Sequence, residues 1–300
     1  FSTGRRWTWT RTGRYRASSE TFATMKRGRP LSSRNRFLYG LSVFTRRMAR
    51  RFRWYFGGYR FSLEREGDNL PHLLMEHSSV LIKRLENTPR ELQVNKIKGL
   101  KIAAAKIDGV LVQPGETFSF WRLVGNPTAR RGFLPGLQLS FGKMVAMTGG
   151  GLCQISNLLH WMVLHTAMTV TERHRHDFDP FPDCGRAVPF GTGATVFYNY
   201  LDLMFMNSTR NCFQLRLRLD ETHLRGEIRC SSPPRFEYAV EEREHRFLRR
   251  GKEVFRENEI WKIRKAPDTG EVLDSKLLFR NECLVRYDVS ETPGIQVEDR

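Results

Sequence analysis

Residues 149–157 read Gly-Gly-Gly-Leu-Cys-Gln-Ile-Ser-Asn. Three glycines lead into Cys153. Behind it Leu152, Ile155, Leu159, Met162 and Val163 recur on one helical face. The spacing predicts a helix that begins at the cysteine. Unpaired N–H groups in a first helical turn carry partial positive charge and favour an anion. A thiol placed there is expected to have a lowered pKa and a larger thiolate fraction. The flexible backbone of Gly149, Gly150 and Gly151 would offer further N–H groups to an oxyanion. At this point three roles are open for Cys153: a buried apolar thiol, a metal ligand or a nucleophile.

A nucleophilic cysteine needs a base. His160 lies on the same helix, about 10 Å from Cys153 along the axis, and His165 lies beyond it. The next histidines are His174 and His176, in Glu-Arg-His-Arg-His. Suppose the helix ends near Met168 and a strand returns along it. The helix then spans roughly 22 Å, and the strand recovers about 3.3 Å per residue. Both histidines bracket the level of Cys153 and point to one strand face. The residues used by the turn favour His176. The plain alternative is that both are surface strand residues. Cys153, His174, His176 and Cys184 also make a donor set that zinc accepts. Their spacing fits no zinc pattern, so neither a metal nor another cofactor is expected.

These residues need elements to position them. Phe37, Leu41, Phe44, Met48, Phe52 and Tyr55 predict a helix with arginines mostly elsewhere around it. Such a helix can lie on an anionic membrane. Packing of its apolar face on the same domain, with a solvated Arg face, is the favoured expectation. Residues 72–84 read as a strand or a short helix, and 94–109 as a helix stopped by Gly109. Residues 110–121 read as strand, Pro-Gly turn, strand, and 136–150 as a hairpin. Strands are expected at 169–178 and 193–209, and a hairpin at 212–230. Charged, β-like stretches run from Pro233 to the end. The class is α+β, mainly antiparallel sheet with a few helices. The expected organisation is a disordered basic segment at 1–35, a basic helix at 36–58, a main domain at 59–232 and its β-rich extension at 233–300.

The net charge of +18 looks like a nucleic-acid signature until it is located. Residues 1–60 hold 16 Lys and Arg against one acid, Glu20, whereas residues 61–300 hold 34 against 31. The body is nearly neutral, so nucleic acid is not an expected partner. Five scattered cysteines without a C-x-x-C pair do not make a disulfide framework. There is no run of 18 apolar residues and no signal-like start, which gives an expected location in the cytoplasm or at the inner membrane face.

Four ordered stretches, "PGETFSFWRLVG", "GGGLCQISNLL", "ERHRH" and "ATVFYNYLDLMFMN", resemble the VanW family of vancomycin B-type resistance clusters. The resemblance runs from about Phe37 to the C-terminus. It implies a compact β-rich domain that acts on the bacterial cell wall as an L,D-transpeptidase-type acyltransferase. Cys153 would be the nucleophile and His176, with His174, the base. Gln154, Ser156, Arg173 and Asp202, within the matched motifs, are the implied substrate-binding positions beside Gly149–Gly151. Peptidoglycan stem peptides or their precursors are the implied partners. A module that binds such a peptide without chemistry is the alternative. The family often carries an aspartate where this chain has Gly193. Asp202, Asp177 or a backbone carbonyl would then have to orient the histidine.

Overall fold

The computed structural model describes residues 36–82, 89–140, 143–175, 178–179, 188–289 and 295–299. The expected disorder at 1–35 lies outside them, as do His176, Asp177 and Cys184. Two compact units divide at Gly57 and Gly58.

The first unit contains α1, Arg36–Phe56. The periodicity of its apolar residues produces the helix as expected. Its end is local: the Gly57 N–H returns to the Arg53 carbonyl at 2.8 Å, and Gly58 takes a left-handed φ of +70°.

The second unit is α+β and mostly antiparallel. β1 (His72–Val80) is a strand, which resolves the strand-or-helix ambiguity. α2 (Arg90–Ile107) ends before Gly109, whose φ of +79° and 2.6 Å Cβ approach to the Glu66 carbonyl admit only glycine. β2 (Val110–Val112), β3 (Thr117–Ser119) and the short α3 (Phe120–Val124) follow. Phe120 and Trp121 are therefore helical rather than strand residues. Ser119 decides this by capping α3: its Oγ accepts the Arg122 N–H at 3.2 Å. The hairpin β4 (Pro135–Ser140) and β5 (Lys143–Thr148) leads into α4, Cys153–Leu164.

β6 covers only Thr169–Glu172, β7 Phe178–Asp179 and β8 Met204–Met206. The expected long strand at 193–209 is mostly loop and turn. Backbone bonds at Tyr200 and Leu201 close back on Phe197, and Asn199 takes a φ of +55°. β9 (Phe213–Leu219) and β10 (His223–Cys230) form the expected hairpin. The β-like C-terminal region becomes β11 (Glu237–Arg250), β12 (Glu253–Lys265) and β13 (Val272–Val285), with β14 (Val297–Asp299) beside β11.

The main sheet has the order β1-β10-β9-β2. α4 packs on β1 and β10, and α2 on β9. Leu152, Ile155, Leu159, Met162 and Val163, the stripe read from sequence, are all buried. Gly226 on β10 lets α4 approach: a Cβ there would lie 2.4 Å from Leu158 and 2.6 Å from Met162. The sheet β11-β12-β13, with β14 and β7 at its edges, and the small sheet β3-β8-β6 complete the unit. α4 thus has one apolar face on the main sheet and a second face free for polar work.

Candidate functional site

Cys153 is the first residue of α4, as the sequence predicts. The glycines before it are required by close packing. Gly149 and Gly151 have φ values of +76° and +90°. A Cβ on Gly150 would stand 2.1 Å from the Gly136 carbonyl oxygen. The approach to the helix is therefore tight, and two of the expected oxyanion donors are already used. The Gly149 N–H bonds to the Leu134 carbonyl at 3.1 Å, and that of Gly150 to Met147 at 2.8 Å. Among the described residues, the N–H groups of Gly151 and Leu152 are left without a backbone partner at this terminus, and the Cys153 N–H faces its own sulfur.

The second face of α4 carries Cys153, Ser156, Asn157 and His160. Their spacing of i, i+3, i+4 and i+7 makes one stripe. All four hold the same chain segment, Gly191–Val196. The Cys153 Sγ–H donates to the Val196 carbonyl at 3.7 Å. The Ser156 hydroxyl donates to Ala194 at 2.6 Å. Asn157 Oδ1 accepts the Ala194 N–H at 2.7 Å. His160 Nδ1 donates to the Thr192 carbonyl at 2.6 Å. Arg173 adds Nε to the Gly193 carbonyl at 2.9 Å and a second donor to Gly191. Its guanidinium lies 4.0 Å over the Phe279 ring. On the far side of the segment, the Thr195 N–H bonds to the His174 carbonyl at 2.8 Å. Side chains thus accept or donate at every residue from Gly191 to Val196 except Thr195, which the His174 backbone takes.

The electrostatics follow from burial. Removal from water pushes the Cys153 thiol above its ordinary value, and backbone hydrogen bonds offset this only in part. This reverses the expectation of a lowered value: Cys153 is only half-buried by solvent exposure, yet desolvation of its thiolate outweighs the partial charge of a few N–H groups. His160 is fully buried and is held neutral, its pKa pushed down to about 3 by burial, with the Arg173 charge adding to the effect. Burial also brings Arg173 down to about 9, helped by Arg175.

His174 differs from the expectation in its partner. Its Nε2 lies 2.9 Å from Glu172 Oε1, and that oxygen also accepts the Asp202 N–H at 3.1 Å. Among the described residues, no histidine nitrogen lies within hydrogen-bonding distance of Cys153 Sγ. The strand expected to bring His174 past Cys153 stops at Glu172. The helix itself ends at Leu164, four residues short of Met168. Among the described residues, no three His, Cys, Asp or Glu converge as a metal site requires. Two of the four residues considered for zinc, His176 and Cys184, lie outside that set.

The family model "VanW like protein" matches residues 95–229, which include α4, the covered segment and the Glu172–His174 pair. The vancomycin B-type resistance protein VanW of Enterococcus faecalis is 34% identical over 227 residues, 76% of this chain and 82% of that protein. The chain belongs to the VanW family. The uncharacterized protein YoaR of Bacillus subtilis is 30% identical over 122 residues, 40% of this chain and 38% of that protein. No solved structure matches the chain.

The VanW motif residues separate into distinct jobs. Cys153 and Arg173 meet at the 191–196 segment, and His174 borders it. Ser156, expected to touch substrate, is fully buried and spent on Ala194. Gln154 points the other way, donating to Ser79 Oγ at 3.0 Å and the Val80 carbonyl at 2.8 Å at the end of β1. Asp202 is fully buried, accepting the Ser119 hydroxyl at 2.6 Å and the Trp121 N–H at 3.2 Å, and so braces the start of α3. Burial and these bonds leave Ser156 and Asp202 no surface with which to meet a ligand. Asn157, Glu172 and the role of His160 were missed in the sequence. The signal for Asn157 and His160 was present, as the i, i+3, i+4, i+7 polar spacing from Cys153. Glu172 was present two residues before His174, hence on the same side of a strand.

Proposed function

We propose that this VanW-family chain acts on peptidoglycan stem peptides as a cysteine-dependent acyltransferase of L,D-transpeptidase type, in the glycopeptide-resistance setting for which its Enterococcus relative is named. The supporting observation is the Cys153 thiol on the first residue of α4, beside the N–H groups of Gly151, Leu152 and Cys153. In this reading the thiol first leaves the Val196 carbonyl. Sulfur then adds to the carbonyl carbon that follows an L-configured centre. The thiol proton passes to a histidine, His174 or His176. The C–N bond breaks, and the D-amino acid departs as the amine with that proton. A thioester on Cys153 remains. An amine of a second stem, or water, resolves it. The N–H groups of the terminus hold the oxyanion in both halves. Glu172 would orient His174, the task for which an aspartate at position 193 was considered.

A second reading, a peptide-binding module without chemistry, draws on one observation. The thiol is engaged by the Val196 carbonyl and has a raised pKa. Incubation with a stem tetrapeptide followed by intact-mass measurement separates the two. Acyl transfer leaves an adduct of the peptide minus its terminal D-amino acid. That adduct is absent in Cys153→Ala and forms roughly 10²-fold more slowly in a His174→Ala or His176→Ala variant, whichever residue is the base. If wild type and Cys153→Ala bind the peptide equally and neither is acylated, the binding module replaces the enzyme.

A further inference from the structure

α1 is 21 residues long, carries six arginines and has no acidic residue. At about 100° per residue its side chains fall into two arcs. Phe37, Leu38, Leu41, Phe44, Met48, Phe52, Tyr55 and Phe56 occupy an arc of about 120°. All eight are exposed, Phe44 by 60%, Phe52 by 65% and Tyr55 by 69%. Arg46, Arg47, Arg50, Arg51 and Arg53 occupy the remainder. Arg50 is buried, and Arg46 and Arg47 are half-buried. Arg51 and Arg53 are exposed and stand at the two borders of the apolar arc. Of the two arcs, the apolar one is exposed throughout, and the Arg arc is exposed only at Arg51 and Arg53 among the arginines described.

An exposed face this large and apolar needs an occupant. We infer that α1 lies along an anionic bilayer surface, its apolar arc in the headgroup–acyl boundary and Arg51 and Arg53 on lipid phosphates. Three observations fix the occupant. The helix is not apolar enough to cross, since among the described residues no helix is both long and apolar enough to span a membrane. Five of the eight exposed residues are aromatic, the side chains that settle at the membrane–water boundary. The charge around the face is of one sign. A second copy packed face to face would bring Arg51 and Arg53 towards their own counterparts with no acid on either helix to pair them. An anionic surface instead answers both borders at once. The surrounding residues 1–60, with 16 Lys and Arg against one acid, add to the same attraction. The inference stands independently of any chemistry at Cys153.

Vesicle co-sedimentation of the full chain tests it, with phosphatidylcholine alone against phosphatidylcholine carrying about one-third phosphatidylglycerol. The expected result is binding to the anionic vesicles that weakens steeply between low and high salt. Phe44→Glu with Phe52→Glu should abolish it. Arg51→Gln with Arg53→Gln should reduce it by an order of magnitude or more, at about fivefold per charge. All four side chains are exposed, and an unchanged circular dichroism melt will verify that each variant folds. Equal binding to neutral and anionic vesicles overturns the inference, as does binding that survives Phe44→Glu with Phe52→Glu. A chain that ignores vesicles and sediments as a dimer, made monomeric by that double variant, also overturns it.

Discussion

Acidification should loosen the segment that covers Cys153, and His160 is the reason. The ring is fully buried, and its Nδ1 lies 2.6 Å from the Thr192 carbonyl. A carbonyl only accepts, so Nδ1 carries the proton and Nε2 holds a lone pair. Nε2 is buried and meets no hydrogen-bond partner among the described residues. A second proton would therefore sit unsolvated, with the Arg173 charge nearby. That accounts for a folded pKa of about 3 against an ordinary 6.5. The native state refuses a proton that the unfolded chain accepts. The stabilisation is thus complete above pH 6.5 and is lost as pH falls towards 3. Between pH 7 and pH 5 the loss is about 2 kcal/mol, against a ceiling of about 5 kcal/mol for the whole shift. Burial lowers His165 and His77 too, so the wild-type slope alone is not diagnostic. His160→Asn provides the reference: its amide can still donate to Thr192, but it does not titrate. Urea unfolding followed by tryptophan fluorescence should show wild type ahead of His160→Asn at pH 7. That lead should narrow by about 2 kcal/mol at pH 5. A lead that stays constant within about 0.5 kcal/mol would mean that His160 titrates normally and is not the buried neutral clamp described.

The same geometry makes three further predictions. Cys153 should react with iodoacetamide more slowly at pH 7.5 than a cysteine in an unfolded peptide, and faster as pH rises, because burial favours the protonated thiol; mass spectrometry of the labelled peptide reads this directly. Gly150→Ala should cost more than about 2 kcal/mol in chemical denaturation, since its Cβ would meet the Gly136 backbone oxygen at 2.1 Å and backbone cannot turn aside. Gly193→Asp should be tolerated less well than Gly193→Ala. A Cβ there lies 3.1 Å from Asn157 Oδ1, an oxygen that already accepts from Ala194, and a carboxylate would add repulsion of about 1 kcal/mol, visible as a lower melting temperature.

What the sequence determined by itself was mostly local and periodic. The apolar steps of Leu152 to Val163 give α4 and the face that it buries. Phe37 to Tyr55 give α1, and the alternation at 212–230 gives the β9–β10 hairpin. Such patterns survive because burial of one face selects one period. Cys153 at the head of α4 was legible for the same reason, and so was the VanW resemblance, whose motifs are short and contiguous. Tertiary structure decided what those residues meet. Nothing in Gly191–Val196 announces that it crosses the polar face of α4. The β-branched and aromatic run from Thr195 reads as strand, but the Thr195 N–H goes to the His174 carbonyl, the Val196 carbonyl accepts from Cys153, and the Phe197 backbone closes a turn with Tyr200 and Leu201. The direction of the Cys153 shift was decided in the same way. A helix terminus in water lowers a thiol pKa; at this one removal of the thiol from water raises it, and the backbone hydrogen bonds offset that only in part. Asp202 was a candidate to orient the histidine, whereas Glu172 carried no expected role, and the fold places the two differently on the same grounds. Both are carboxylates in matched motifs, but the fold buries Asp202 against Ser119 and Trp121 and leaves Glu172 beside His174. Residue type sets the available chemistry; the partner across 30 or 80 residues of chain sets which part of it is used.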